Sequence, residues 1–445
     1  MKSPLPFFKA PVVAFEQYRL RNGLTVILHR DLAIPVAAVV VMYHVGSKNE
    51  KPGKTGFAHL FEHLMFKGSG HVADGDHFRL LQEIGATVNG STTEDRTNYY
   101  EVVPSNHLEL ALYLESDRMG YLLPAVTQEK LDNQRDVVKN ERRQNYDNQP
   151  YGTAHEKIAR ALYPADHPYS WPVIGSMEDL SAAALDDVRD FFRLFYAPNN
   201  ACLVVAGSFD PPQVREWVEK YFGEMPAGPP VTRPTPAPAS LAENKLLAME
   251  DKVTLPRLFL TWHSFPVASR GDAVMDVLTS ILSSGKSSRL YRNLVLERQI
   301  AQSVTAYQDG SEISGTTTIQ VTAKPGFTLS EIAESVREVL KEFDAHGVSD
   351  TEIQSAVNGI EARLVARQAS AYGKANGLAT AFTLTGDTEN YNKEFQRFLD
   401  ITPDEVLEAG RRILRSGNVT MSVVPIGENR QAVDGSHILP PGGNP

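Results

Sequence analysis

His59, Glu62 and His63 fall within five residues, His59-Leu60-Phe61-Glu62-His63, in an otherwise apolar stretch. On a helix of 3.6 residues per turn, two histidines four apart project from one face with the glutamate beside them. Two imidazoles so spaced can chelate one zinc ion. A catalytic zinc usually takes three protein ligands and keeps a position for water, so the pair requires a third ligand from elsewhere in the chain. Glu62, on the same face, suits the base that takes a proton from that water. The Leu, Phe and Met side chains around them would dry the site and strengthen its electrostatics.

The elements that must hold these side chains read out on either side. Strands are predicted over 18–28, around the turn signal Asn22-Gly23, and over 36–43, a nearly continuous Val/Ala run. The histidine helix spans 56–66 and stops at Lys67-Gly68-Ser69-Gly70. A helix over 77–84, an alternating strand over 87–93, a strand over 97–103 and helices over 106–122 and 128–145 follow. Between 226 and 238 runs Pro-Ala-Gly-Pro-Pro-Val-Thr-Arg-Pro-Thr-Pro-Ala-Pro, which can neither continue a helix nor pair as an inner strand. It predicts an extended linker, over 226–244, between a zinc-binding domain at 1–225 and a second domain at 245–427. Residues 428–445, rich in Gly, Pro and polar side chains, read as a tail.

After the linker the pattern partly recurs, with a strand over 257–263, a helix over 273–282 and Gly285 closing it. Laying Gly285 over Gly68 brings strand, helix and glycine stop into step, as an internal duplication would. At that offset His59, Glu62 and His63 become Asp276, Thr279 and Ser280, which could not form the same site.

A chain of 445 residues, 42% of them hydrophobic, can bury a large core and is long for one domain. Its formal charge of -10 argues against a general nucleic-acid binder. The sole cysteine, Cys202, lies in the apolar run Ala201-Cys202-Leu203-Val204-Val205; it excludes an intrachain disulfide and a cysteine-rich metal site, and reads as core. Nowhere do ~18 apolar residues run uninterrupted, so no membrane partner is expected. The first eleven residues carry no export signal, so the expected compartment is the cytoplasm, or the periplasm if a signal has been removed.

The order His-x-x-Glu-His inverts that of the more familiar zinc-protease motif. With its flanks, Thr55-Gly56-Phe57-Ala58-His59-Leu60-Phe61-Glu62-His63-Leu64-Met65-Phe66-Lys67-Gly68, it closely resembles the pitrilysin and insulinase family of metallopeptidases, in its mitochondrial-processing-peptidase-like bacterial branch. The resemblance extends to Asn22-Gly23-Leu24-Thr25-Val26, Asn89-Gly90-Ser91-Thr92-Thr93 and Val137-Val138-Lys139-Asn140-Glu141, close over most of the first half and loose over the second. It implies an α+β fold of two homologous domains, each a mainly antiparallel sheet layered with helices, closing as a clamshell dimer. It also implies one zinc ion per chain, with a glutamate on a separate helix as third ligand. That place falls on Glu141, with 77 residues between it and His63. Without the resemblance, Glu141 would read as an exposed charge.

Two departures carry information. Gln134 stands where the family usually has a second glutamate, seven residues before the ligand, which predicts surviving zinc binding with tuned affinity or activity. In the second half, the resemblance calls for an arginine and, seven residues on, a tyrosine that bind the substrate backbone; the matching places hold Val295 and Gln302. Arg298 would point about 60° off the required direction on a helix, and Arg367 and Tyr372 read as surface. Losing one oxyanion-stabilising donor costs on the order of a hundredfold or more in rate. The resemblance therefore implies a zinc-bearing subunit whose homologous partner supplies the pair in a heterodimer. The strand over 87–93 reads from its residues alone as a plain sheet edge; the resemblance makes Asn89, Gly90, Ser91 and Thr92 candidate contacts for an extended peptide. The expected activity is endopeptidase cleavage of peptides or unstructured segments. Competing readings are a non-catalytic assembly or binding subunit of the same fold and a metal-dependent hydrolase of other substrates.

Overall fold

A computed structural model describes residues 12–234 and 239–440. The first eleven residues, 235–238 of the proline-rich strap and 441–445 of the expected tail lie outside the described residues.

The first sheet comprises β1 (Glu16–Arg19), β2 (Thr25–Arg30), β3 (Val36–Tyr43), β4 (Thr87–Thr92), β5 (Thr97–Pro104) and β6 (Ala201–Gly207), in the order β1-β2-β6-β3-β5-β4. β3 and β6 are buried almost throughout, which explains why both read as unbroken apolar runs rather than alternating ones. β2 and β6 are parallel and the other pairs antiparallel. Four helices follow early in the chain: α1 (Phe57–Leu64), α2 (Asp76–Glu83), α3 (Leu108–Tyr121) and α4 (Gln128–Arg142).

The second sheet comprises β7 (Lys245–Asp251), β8 (Arg257–Ser264), β9 (Ala301–Gly310), β10 (Gly315–Ala323), β11 (Asn418–Pro425) and β12 (His437–Ile438), in the order β12-β7-β11-β8-β10-β9. From β2 to β6 and from β7 to β11, the five strands recur in the same spatial order. The senses recur too, with the first strand of each set parallel to the last and the remaining pairs antiparallel. The chain thus holds two homologous sheet-and-helix domains. Gly68 and Gly285, paired by the sequence offset, both adopt φ 82°, a left-handed conformation that glycine reaches without the penalty of a side chain.

The compact units differ from the contiguous halves expected. One holds the residues up to 136, 175–233 and 359–396; the other holds 137–174, 234–358 and 397 onward. The cause is an exchange of helices. In the first unit the helix Ala371–Thr385, from late in the chain, lays Ala375, Leu378 and Ala379 on Ala38, Val40, Met42, Cys202 and Val204. In the second unit α5 (Ala154–Leu162), from early in the chain, packs Ala154, Ile158, Ala161 and Leu162 on Phe259, Val419, Met421 and Val423. Each large aliphatic buried this way contributes about 1.5–3 kcal/mol. Cys202 is a core residue, its thiol pushed up to about 12 by burial.

The described part of the expected tail is structured. His437 and Ile438 pair with Leu247 and Ala248 of β7, while Val433 and Leu439 are buried. Two ladder residues are too few to show in a sequence pattern. Among the described residues no helix is long and apolar enough to cross a membrane.

Candidate metal centre

Helix α1 begins because its first orphan N–H groups find a carboxylate. Glu50 accepts from the backbone N–H of Gly56 (2.9 Å) and of Ala58 (2.8 Å), placing a carboxyl group at the positive end of the helix. Burial pushes the Glu50 carboxyl up to about 8, against the two backbone donors that favour its charged form. Gly56, at φ 89°, makes the turn into the helix. Phe61 fixes the helix from below, its ring 5.5 Å from Phe191 and 5.0 Å from Tyr196, and its carbonyl accepts from the Tyr99 hydroxyl (3.3 Å). With that face anchored, His59 and His63 sit one turn apart, ring centroids 4.8 Å from each other and nearly perpendicular.

Helix α4 presents Leu131, Gln134, Val138 and Glu141 at spacings of three, four and three, a single stripe along one face. Leu131 and Val138 are fully buried and Gln134 is 3% exposed, while Asp132, Asn133 and Asp136 face outward. Glu141 is therefore the last member of an inward stripe on a continuous helix, rather than one more solvated charge. His59, His63 and Glu141 each offer one ligand atom, and the three atoms lie within 4.8 Å of one another. Two imidazoles and a carboxylate form a donor set suited to zinc with a position left for water. Gln134 donates to Asn133 Oδ1 (2.6 Å) and shares the stripe with Glu141 two turns away.

Glu62 stands over the edge strand β4. Its Oε2 accepts from the Thr92 hydroxyl at 2.7 Å. A side chain at Gly90 would bring its Cβ 3.1 Å from Glu62 Cγ, so glycine there leaves room for the glutamate's stem. The four candidate contacts of this strand thus divide between its two faces. Gly90 and Thr92 lie toward Glu62, while Ser91 donates to Asn98 Oδ1 (2.6 Å), and Asn98 donates to Asn376 (2.7 Å) on the helix from late in the chain. Asn89 is exposed and accepts from the Gly90 N–H. The bond from Thr93 N–H to the Arg96 carbonyl (2.9 Å) sets the bonded phase of the hairpin. By alternation, the main-chain groups of Val88, Gly90 and Thr92 face away from β5, on the outer edge of the sheet.

Arg96, Glu50 and the Thr92 hydroxyl escaped sequence reasoning. Arg96 donates to the Ser91 carbonyl (2.8 Å) and to Asn98 Oδ1 (3.2 Å), clamping the hairpin, and Glu62 is among the charges acting on it. An arginine after a tight turn carries no local signal of such a clamp, nor does a glutamate seven residues before the helix it caps. Arg367 lies at the surface in an ion pair with Glu394. Tyr372 does not match the surface reading, for it is half-buried with its ring 4.1 Å from Tyr100.

His77, Glu101 and Glu115 form a second group of potential ligands, fully buried. Here Arg118 already supplies the cation. It bonds Glu101 (3.0 Å) and Glu115 (2.8 Å) and lies over the rings of Tyr99 (4.4 Å) and Phe66 (5.0 Å). Burial pushes Glu115 up to about 8; burial, with Arg118 beside it, holds His77 down to about 3. A metal ion would have to compete with a guanidinium for the same carboxylates.

Residues 25–171 match the family described as Insulinase (Peptidase family M16), and residues 182–360 match the description Peptidase M16 inactive domain. The chain is 25% identical over 409 residues to the zinc protease PqqE of Helicobacter pylori, covering 91% of each. The crystal structure of a protease from Helicobacter pylori is similar at TM-score 0.86 and 25% identity, over 93% of this chain and 100% of that one. A peptidase M16 inactive domain from Pseudomonas fluorescens has the same fold, with TM-score 0.82 at 16% identity over 93% of this chain and 98% of that one. The first match contains His59, Glu62, His63 and Glu141. The match described as inactive covers Asp276, Thr279 and Ser280, where the motif is missing.

Proposed function

Because the chain belongs to the insulinase family of M16 peptidases, we propose that it is a zinc-dependent endopeptidase, the zinc-bearing subunit of a heterodimer acting on peptides or unstructured segments. The observation that carries this reading is the convergence of His59, His63 and Glu141 on one point, with Glu62 beside the two histidines on α1. A zinc ion held there supplies Lewis acidity, polarising a peptide carbonyl and making water a better acid. Glu62 accepts the water's proton at its carboxylate and passes it to the leaving amine. The outward main-chain groups of Val88, Gly90 and Thr92 pair with an extended peptide added to β4, which selects for unfolded backbone more than for particular side chains. Gln134 keeps the shape of the glutamate it replaces without its charge, and so tunes the site rather than abolishing it.

The partner is invoked because Val295 and Gln302 occupy the places of the arginine and tyrosine that would steady substrate. A homologous subunit would contribute that pair, the two chains closing as a clamshell. The alternative, an assembly or binding subunit, draws on the match described as inactive, but that match lies on the half without the motif. Incubating the purified chain with a fluorogenic unstructured peptide, alone and with its homologous partner, tests the proposal. Cleavage is expected to be slow alone and faster with the partner, and to stop on chelation and return with zinc. Cleavage that persists through chelation, or none under any condition, would contradict it.

A further inference from the structure

We propose that Thr92 is a positioning residue for the base, so that one residue of the substrate edge sets the geometry of Glu62. This inference rests on the peptidase reading above. The Thr92 hydroxyl has one proton to give and donates it to Glu62 Oε2 at 2.7 Å; in its longer contact with Thr97, at 3.4 Å, it is the acceptor. The shorter bond, to the carboxylate, is the stronger by distance and by charge. Thr97 donates chiefly to the Val45 carbonyl at 2.9 Å and only at longer range to Thr92, so it takes no proton from Thr92. Thr92 therefore acts as a donor to Glu62.

Two features make this more than a local bond. Gly90 and Thr92 are two apart on a strand and share a face, so β4 both clears space for the glutamate's stem and holds its head. Strand geometry also turns the main-chain groups of Thr92 to the open edge, where a peptide would add. Pairing of a peptide with β4 thus orders the residue that orients the base, linking docking to catalysis.

Thr92→Val keeps the shape and removes the hydroxyl; Thr92→Ser keeps the hydroxyl and removes the methyl. Both are assayed as full chains with the partner present, for kcat, KM and zinc content. Loss of a hydrogen bond to a charged group predicts a kcat lower on the order of ten- to a hundredfold in Thr92→Val. Its KM and zinc content should stay within about twofold of wild type, and Thr92→Ser should stay near wild type throughout. A purely structural role would reverse the rank, since the methyl would then matter more, or would move KM and zinc together with kcat. Wild-type kcat in Thr92→Val, or that reversed rank, overturns the inference while leaving the peptidase reading intact. Absence of zinc-dependent cleavage by the wild type overturns both.

Discussion

Glu62→Gln is expected to keep its zinc and lose peptide hydrolysis by a factor on the order of a hundred to ten thousand, the usual contribution of a general acid–base group. The substitution is nearly isosteric. The amide oxygen can still accept from the Thr92 hydroxyl, so the side chain keeps its place over β4. An amide cannot take a proton from water, and that is the one property removed. His59, His63 and Glu141 are untouched, so the convergence of ligand atoms should survive. Metal analysis and single-substrate kinetics on the same preparation separate the two effects. Turnover within tenfold of wild type would mean that the base lies elsewhere.

The largest effect on stability is expected at Arg118. The side chain is 1% exposed, and it bonds two glutamates that are themselves completely buried. Arg118→Met keeps much of the apolar stem but strips Glu101 and Glu115 of their shared cation. Breaking a buried ion pair in this way costs about 3–5 kcal/mol, because each carboxyl must then stay desolvated without its partner or take up a proton. The loss should reach α1. Arg118 stacks on Phe66, just beyond α1, and on Tyr99, whose hydroxyl bonds the Phe61 carbonyl within α1. Urea denaturation of the full chain should show a clearly lower midpoint, and weaker zinc retention should accompany it. Arg337→Met, which breaks an exposed pair with Glu334, should leave the midpoint nearly unchanged. Equal midpoints for the two variants would remove the claim that the buried cluster supports the site.

Much of the first domain was legible because its strands and helices obey local rules. The Val/Ala run over 36–43 coincides with β3, since a strand buried on both faces needs no alternation. The helix over 56–66 contains α1, and the spacing of His59 and His63 already placed both on one face. The inward face of α4 could also have been argued from pattern alone, as Leu131, Gln134, Val138 and Glu141 trace a stripe that ends in a carboxylate. The recurrence of strand order in the second sheet fits the duplication suggested by the glycine offset.

What escaped the sequence is the part decided by tertiary packing. Ala154, Ile158, Ala161 and Leu162 mark an apolar stripe on α5, yet periodicity says nothing about which sheet receives it. The same holds for Ala375, Leu378 and Ala379, so the helix exchange that makes both compact units discontinuous was not readable. The reach of Glu50 to the start of α1 and the grip of Thr92 on Glu62 depend on side chains brought together across loops and strands. Local spacing cannot report such meetings.

If His59, His63 and Glu141 together hold zinc, the metal content of the chain must depend on all three. That dependence is tested most directly by zinc content, measured side by side on the purified full chain and on His59→Ala, His63→Ala and Glu141→Ala after exposure to buffered zinc. About one zinc per wild-type chain and close to none in each variant is expected. A wild-type chain that takes up no zinc, or a Glu141→Ala chain that holds as much as wild type, would contradict it.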